Sequence, residues 1–117
     1  MSYKQITDDL LFVFQYIENL DRLKRLQVLI LSNNIIEKIE KLDKLLKLRE
    51  LDLSNNCIVK IEGLENLTNL QVLNVSGNLI EHIPIWMGKR LKSLRAFHIG
   101  RNRLESVRTF KITLFLA

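Results

Sequence analysis

One pattern of aliphatic residues and asparagine recurs four times along the chain. Each copy follows L-x-x-L-x-L-x-x-N-x-I-x-x-I, with other aliphatic or aromatic residues at some framework positions of the later copies. The copies begin at Leu26, Leu48, Leu70 and Leu94, so the spacing is 22 residues twice and then 24. Repetition at such a period is typical of a solenoid, in which each copy buries its apolar edge against its neighbours.

The L-x-L step within each copy predicts a short strand. Its two aliphatic residues point inward and the residues beside them point outward, because side chains alternate along a strand. Successive strands should pair in parallel and line a concave face. A sharp turn then follows, and a buried amide there can satisfy inward-facing backbone groups. We therefore predict a structural ladder of four asparagines: Asn34, Asn56, Asn78 and Asn102.

The third copy is two residues longer and predicts a short helix on the convex side. Ile83, Met87, Leu91 and Leu94 share one helical face, and Pro84 suits a first helical turn. The shorter copies should have turns or 3₁₀ segments at the same place.

The domain organisation follows from this register. Residues 1–16 are predicted to form an N-terminal cap, helical because Ile6, Leu10 and Phe14 are spaced as one helix face. A repeat domain over residues 17–110 contains four complete repeats, at 26–47, 48–69, 70–93 and 94–110. The tail, residues 111–117, departs from the pattern, and we expect an array that has been cut short there.

The pattern resembles the leucine-rich repeat at its 22-residue length, as found in intracellular binding proteins. The resemblance implies an α/β fold: a right-handed leucine-rich-repeat solenoid with a short parallel sheet on the concave face and an irregular, 3₁₀ or helical convex side.

Composition and charge narrow the possible functions. The single cysteine argues against a disulfide framework and a cysteine-rich zinc site, and the longest apolar run, residues 10–14, is too short for a membrane span. The formal net charge of +5 divides into −2 for residues 1–88 and +7 for residues 89–117. Aromatic residues suited to base stacking do not accompany this basic end, which disfavours a nucleic-acid partner.

The candidate site is a surface, because no catalytic, cofactor-binding or metal-ligating pattern is present. We therefore expect no enzymatic activity, no cofactor and no metal, and we expect a protein partner. The outward strand positions combine aliphatic, acidic and polar side chains, which suits contact with a helix or strand of a partner. The predicted partner-binding residues of the concave face are Val28, Ile30, Glu50, Asp52, Val72, Asn74 and His98.

Three stretches, residues 16–20, 38–51 and 80–84, also resemble the N-terminal repeat region of the centriolin family. In the middle stretch the charged residues match as well as the aliphatic framework. The resemblance implies a cytoplasmic scaffold or adaptor that binds proteins of the centrosome or the cytoskeleton. Two alternatives stay open: a regulatory subunit that docks an enzyme such as a protein phosphatase, and an RNA-associated leucine-rich-repeat protein. The oligomeric state stays open too.

Overall fold

Five short strands form one parallel sheet in chain order. The computed structural model describes residues 9–11, 20 and 23–105. The strands are β1 (Asp9–Leu11), β2 (Val28–Ile30), β3 (Glu50–Asp52), β4 (Val72–Asn74) and β5 (Ala96–His98). Their central residues pair in register, from Leu29 through Leu51 and Leu73 to Phe97. The leucine-rich-repeat solenoid predicted from the sequence is confirmed.

Pairing between repeats continues beyond the three residues of each strand. On one side, the amide of Arg49 donates to the carbonyl of Gln27 at 2.8 Å. On the other side, the amide of Asn33 donates to the carbonyl of Ser54 at 3.0 Å. The same two bonds recur at the next two interfaces, so each repeat is fixed to its neighbour along about seven residues.

Consecutive three-residue turns lead into β2, β3 and β4 and explain the leucine spacing before these strands. The amide of Leu45 donates to the carbonyl of Leu42, and the amide of Leu48 donates to the carbonyl of Leu45, both at 3.0 Å. Turns of this kind align side chains three residues apart, so all three leucines point into the core. The two residues between one core leucine and the next are left exposed, as Leu46 and Lys47 are between Leu45 and Leu48.

The longer third repeat contains the one helix of the described residues, α1 (Trp86–Arg90). Met87 is fully buried on its inner face, and Trp86 packs against the core while partly exposed. Pro84 accepts a hydrogen bond from the amide of Met87 at 3.2 Å, which places the proline at the entrance to the helix. No helix among the described residues is long and apolar enough to cross a membrane.

The asparagines form a ladder that joins successive repeats. The Oδ1 atom of Asn78 accepts the amide of Ile58 in the preceding repeat at 2.9 Å. Its Nδ2 atom donates to the carbonyls of Leu53 and Val75, and also to that of Ser76 at 3.2 Å. Asn56 and Asn102 make the equivalent bonds one repeat earlier and one repeat later.

Asn34, the first residue of the predicted ladder, donates from Nδ2 to the carbonyls of Leu31 and Ser32, at 2.9 and 3.0 Å. Each asparagine therefore holds the turn of its own repeat. Among the buried side-chain polar atoms of the described residues, none lacks a hydrogen-bond partner.

The N-terminal segment differs from the helical cap predicted for residues 1–16. Asp9–Leu11 is a strand that pairs with β2, and Leu10 lies opposite Leu29. Without it, the outer edge of β2 would present unpaired backbone groups. A short apolar run cannot be assigned to helix or strand from periodicity alone, so this backbone requirement decides between them. The rest of the predicted cap, residues 17–19 and 21–22, and residues 106–117 with the off-pattern tail lie outside the described residues.

Left-handed backbone follows each of the strands β2 to β5. Asn33, Asn55, Gly77 and Arg101 occupy the same place in successive repeats, with φ between 52° and 69°. Asn and Gly tolerate this conformation better than other residues do. At Gly77 the space is also needed, because a Cβ atom there would collide with Oδ1 of Asn55. That oxygen accepts a hydrogen bond from Nη2 of Arg101 at 3.2 Å, across two repeat interfaces.

We predict that Asn78→Ala lowers the free energy of unfolding by about 3 kcal/mol, because several buried backbone groups lose their partner together. Urea unfolding followed by circular dichroism measures the change. Asn69→Ala is the control. Asn69 is exposed and makes one bond, to the carbonyl of Leu46 at 3.1 Å, so its loss should cost less than about 1 kcal/mol. Equal losses in the two variants would contradict a structural role for the ladder.

We predict that Gly77→Ala lowers the free energy of unfolding by about 2 kcal/mol, through backbone strain and displacement of the Asn55 side chain. Gly100→Ala is the matched control, since a Cβ atom at Gly100 would meet nothing within 4 Å. That variant should change stability by less than about 1 kcal/mol. The same urea titration compares them, and an unchanged Gly77→Ala protein would refute the steric argument.

Candidate protein-interaction surface

The outward side chains of β2 to β5 form the concave face, and all seven predicted partner-binding residues belong to it. Strand pairing arranges them in two rows across the sheet. The first row consists of Val28, Glu50, Val72 and Ala96. The second consists of Ile30, Asp52, Asn74 and His98.

The aliphatic side chains of the concave face are half-buried and lie on both sides of an acidic strand. Val28 and Ile30 both belong to β2, and Val72 lies two strands away on β4. Glu50, on β3 between them, is exposed. The first row of the concave face therefore presents an apolar, an acidic and an apolar side chain in succession across β2, β3 and β4.

Asp52 and Asn74 each hold a turn of the backbone through hydrogen bonds to a serine two residues later. The Oδ1 atom of Asp52 accepts hydrogen bonds from the amide of Ser54 at 2.9 Å and from its hydroxyl at 2.6 Å. Asn74 accepts the same two bonds from Ser76, at 3.0 and 2.7 Å. An Asp or Asn two positions before a serine is a known turn signal, and the sequence contains it in the second and third repeats. One oxygen of each side chain thus stabilises the turn after its strand.

His98 and the serine column complete the face. His98 is exposed at the end of the second row, on β5. Ser54 is buried beneath Asp52, whereas the equivalent Ser32 and Ser76 are partly exposed. Within the second row, the aliphatic side chain therefore lies on β2 and the polar side chains lie on β3, β4 and β5.

The structure also brings together three side chains outside the concave face. Glu81, His82 and Glu105 offer ligand atoms within 4.8 Å of one another, and all three are exposed. Nε2 of His82 lies 3.8 Å from Oε2 of Glu105, an ion pair only while the imidazole is protonated. Glu81 and Glu105 occupy the same position in adjacent repeats, and the amide of Glu105 donates to the carbonyl of Glu81 at 3.2 Å, so the stacking of the two repeats forms this cluster.

Comparison with known families identifies the class of protein. Residues 24–66 and 46–85 match the family model of leucine-rich repeats, and together they cover more than half of the chain. The chain therefore belongs to the leucine-rich-repeat family. Domains of this family generally bind other proteins and are typically not catalytic. No curated protein sequence matches the chain significantly.

Two solved structures share the fold and cover most of this chain. Internalin C2 from Listeria monocytogenes is 32% identical, with a TM-score of 0.69 over 78% of this chain and 39% of its own. TLR13 in its complex with ssRNA13 is 27% identical, with a TM-score of 0.74 over 86% of this chain and 15% of its own. This chain thus spans less than half the length of either protein.

We predict that Asp52→Asn keeps the turn and changes the free energy of unfolding by less than about 0.5 kcal/mol, because Asn74 already makes the same two bonds one repeat later. Asp52→Ala should cost about 1 kcal/mol by removing the acceptor. Thermal or urea unfolding distinguishes them, with Glu50→Gln as the control for loss of a charge from the same strand. A loss in Asp52→Asn as large as that in Asp52→Ala would show that charge, and not the turn, is responsible.

Proposed function

We propose that this chain is a non-catalytic protein-binding module, a scaffold or adaptor of the centrosome or the cytoskeleton, that presents its concave face to a partner. The observation that carries the proposal is the row of Val28, Glu50 and Val72 with Ile30 and Asp52 beside it. Aliphatic groups left partly open to solvent around a central acidic pair supply both affinity and orientation.

The rigidity of the sheet supports this mode of binding. Strand β2 is paired on both sides, and the turns after β3 and β4 are held by Asp52 and Asn74. A surface that is already ordered loses little conformational entropy when a partner binds. The binding free energy can then come from a few aliphatic contacts.

The dimensions of the face suit a single helix. Adjacent strands lie about 4.8 Å apart, so Val28 and Val72, two strands apart, are separated by about 10 Å. An α-helix with its side chains is about 10 Å wide. We expect an amphipathic helix whose apolar stripe contacts Val28, Ile30 and Val72, and whose Lys or Arg residues face Glu50 and Asp52.

The cellular setting is inferred from the resemblance of residues 16–20, 38–51 and 80–84 to the centriolin family. Membership in the leucine-rich-repeat family supports the binding role, and the charged residues shared in the middle stretch support the centrosomal and cytoplasmic setting. A regulatory subunit that docks an enzyme such as a protein phosphatase is the alternative that would use the same face.

RNA binding is the other alternative, and the neighbour TLR13 was solved in complex with ssRNA13. The concave face of this chain carries Glu50 and Asp52, whose charges oppose phosphate groups. A protein partner therefore suits this face better than a nucleic acid does.

We predict that Ile30→Asp and Val72→Asp abolish recruitment of the full chain to the centrosome, because each introduces a charge that must be desolvated in the bound state. Localisation of a fluorescent fusion and proximity labelling in dividing cells measure recruitment. Val59→Asp is the matched control, since Val59 is 59% exposed and lies off the concave face. The Val59→Asp variant should be recruited to the same extent as the unmodified protein.

Circular dichroism must first show that the three variants fold to the same extent. Recruitment of all three at the level of the unmodified chain would refute the role of the concave face. Absence of the unmodified protein from the centrosome would refute the cellular setting. A centrosomal signal that is lost after RNase treatment would favour the RNA alternative.

A further inference from the structure

The charged residues of this chain are distributed unevenly between the two sides of the sheet. This distribution becomes visible when equivalent segments of the repeats are grouped together. We define the leading flank as the segments that enter β2 to β5, residues 23–27, 43–49, 65–71 and 89–95. It contains nine Lys or Arg and two Asp or Glu residues, a balance of +7. The trailing flank, residues 35–41, 57–63, 79–85 and 103–105, contains four and five, a balance of −1. The net charge of the leading flank is therefore larger than the net charge of +5 of the whole chain.

The turns before the strands direct five of these cations outward. Because each turn points every third residue at the core, Lys24, Arg25, Lys44, Lys47 and Lys92 lie between core leucines and face solvent. Lys89 and Arg90 lie at the end of α1, and Arg49 and Arg95 immediately precede β3 and β5. All nine cations of the leading flank are exposed: Lys24, Arg25, Lys44, Lys47, Arg49, Lys89, Arg90, Lys92 and Arg95. They come from the first, second and fourth segments, so the surface is basic along most of its length.

The third segment of the leading flank, residues 65–71, contains no Lys or Arg. The side chain of Arg90, from the fourth segment, lies over it. The Nε atom of Arg90 donates to the carbonyl of Glu65 at 3.2 Å, and its Nη2 atom lies 3.4 Å from Oδ1 of Asn66. The guanidinium is thus held over the third repeat. Lys24, Lys44 and Arg90 consequently line one shallow groove, together with Asp43, Leu46, Asn66 and Thr68.

Leu46 adds an apolar contact to this groove. It occupies a position between two core leucines where the equivalent residues are Lys24, Thr68 and Lys92, yet its side chain is 53% exposed. A second groove next to it is lined by Gln27, Lys47, Arg49, Asn69, Gln71 and Ser93, whose amide and hydroxyl groups can hydrogen-bond to a peptide backbone.

We propose that the leading flank is a second docking surface, for an extended acidic segment of a partner protein with an aliphatic residue that contacts Leu46. Its cations complement Asp and Glu side chains, and the amides of the second groove suit a polypeptide backbone. Among the described residues of the flank there is no aromatic side chain on which a nucleic-acid base could stack. The surface is separate from the concave face, so it can be tested without reference to that proposal.

The size of the flank determines the probe. Four segments about 4.8 Å apart span about 15 Å, which about five extended residues cover. A synthetic peptide of about eight residues, Asp and Glu with one central Leu, therefore reaches across the flank. The comparison probes are the same peptide without Leu, a single-stranded oligonucleotide of equal charge, and vesicles containing phosphatidylserine.

We predict that the full chain binds the leucine-containing peptide and that the triple variant Lys24→Glu, Lys44→Glu, Lys47→Glu binds it at least about tenfold more weakly, because attraction becomes repulsion at three sites. The matched control is Lys38→Glu, Lys41→Glu, Lys60→Glu on the trailing flank. Each triple variant changes the formal net charge by six, from +5 to −1. The control should bind within about twofold of the unmodified protein, since only its long-range charge differs.

Fluorescence anisotropy at near-physiological salt measures these affinities. Leu46→Ser should weaken binding of the leucine-containing peptide and leave the leucine-free peptide unaffected, whereas Val59→Ser should change neither. Equal loss in the two triple variants would overturn the proposal, because binding would then follow net charge alone. It would also be overturned if the unmodified chain failed to bind the peptide, or if it bound the oligonucleotide or the vesicles more tightly.

Discussion

The carboxamide of each buried asparagine is the interaction on which the rest of this structure depends. After every strand the chain turns with backbone polar groups directed at an aliphatic interior, where no water can satisfy them. Asn56 and Asn78 meet that need with one acceptor and one donor group each, and both groups also contact the preceding repeat. The same side chain therefore closes a turn and joins two repeats. Stacking, register and the spacing of the strands follow from that double role.

The sequence predicted the parts of the fold that are set within one repeat. The L-x-L step located β2 to β5, and the face shared by Ile83, Met87 and Leu91 indicated the helix that the structure places at Trp86–Arg90. Contacts between repeats were harder to predict. The strand Asp9–Leu11 exists because β2 has an edge to be paired, and the meeting of His82 with Glu105 depends on how closely two repeats stack.

For the candidate surface too, features set within one repeat were predictable from the sequence and features that join several repeats were not. The alternation of side chains along a strand was enough to place Val28, Ile30 and Val72 on the concave face. The turn contacts of Asp52 and Asn74 are predictable from the serine two residues later, because an Asx side chain at that spacing can accept from the serine amide and hydroxyl. Charge was assigned to the C-terminal quarter because it was counted along the chain. In three dimensions Lys24 and Lys44 share a groove with Arg90, and the basic surface extends over earlier repeats.

The two surfaces differ in the sign of their charge. Glu50 and Asp52 make the middle of the concave face acidic, whereas the leading flank beside it is basic. Arg49 stands at the boundary, with Nη1 3.4 Å from Oε1 of Gln27. Opposite charges on adjoining surfaces disfavour a partner that approaches in the wrong orientation. A single partner with a basic amphipathic helix and an acidic extension would fit both surfaces at once.

The bond from Arg101 to Asn55 has a consequence for how the array comes apart. Nearest-neighbour contacts alone would let the last described repeat fray independently of those before it. Because this hydrogen bond passes over Gly77, detaching β5 also removes a contact of the second repeat. Arg101 has the left-handed backbone that is common to this position of every repeat, with φ of 52°. The amide protons of β5 should consequently be better protected from exchange with solvent than contacts with β4 alone would make them.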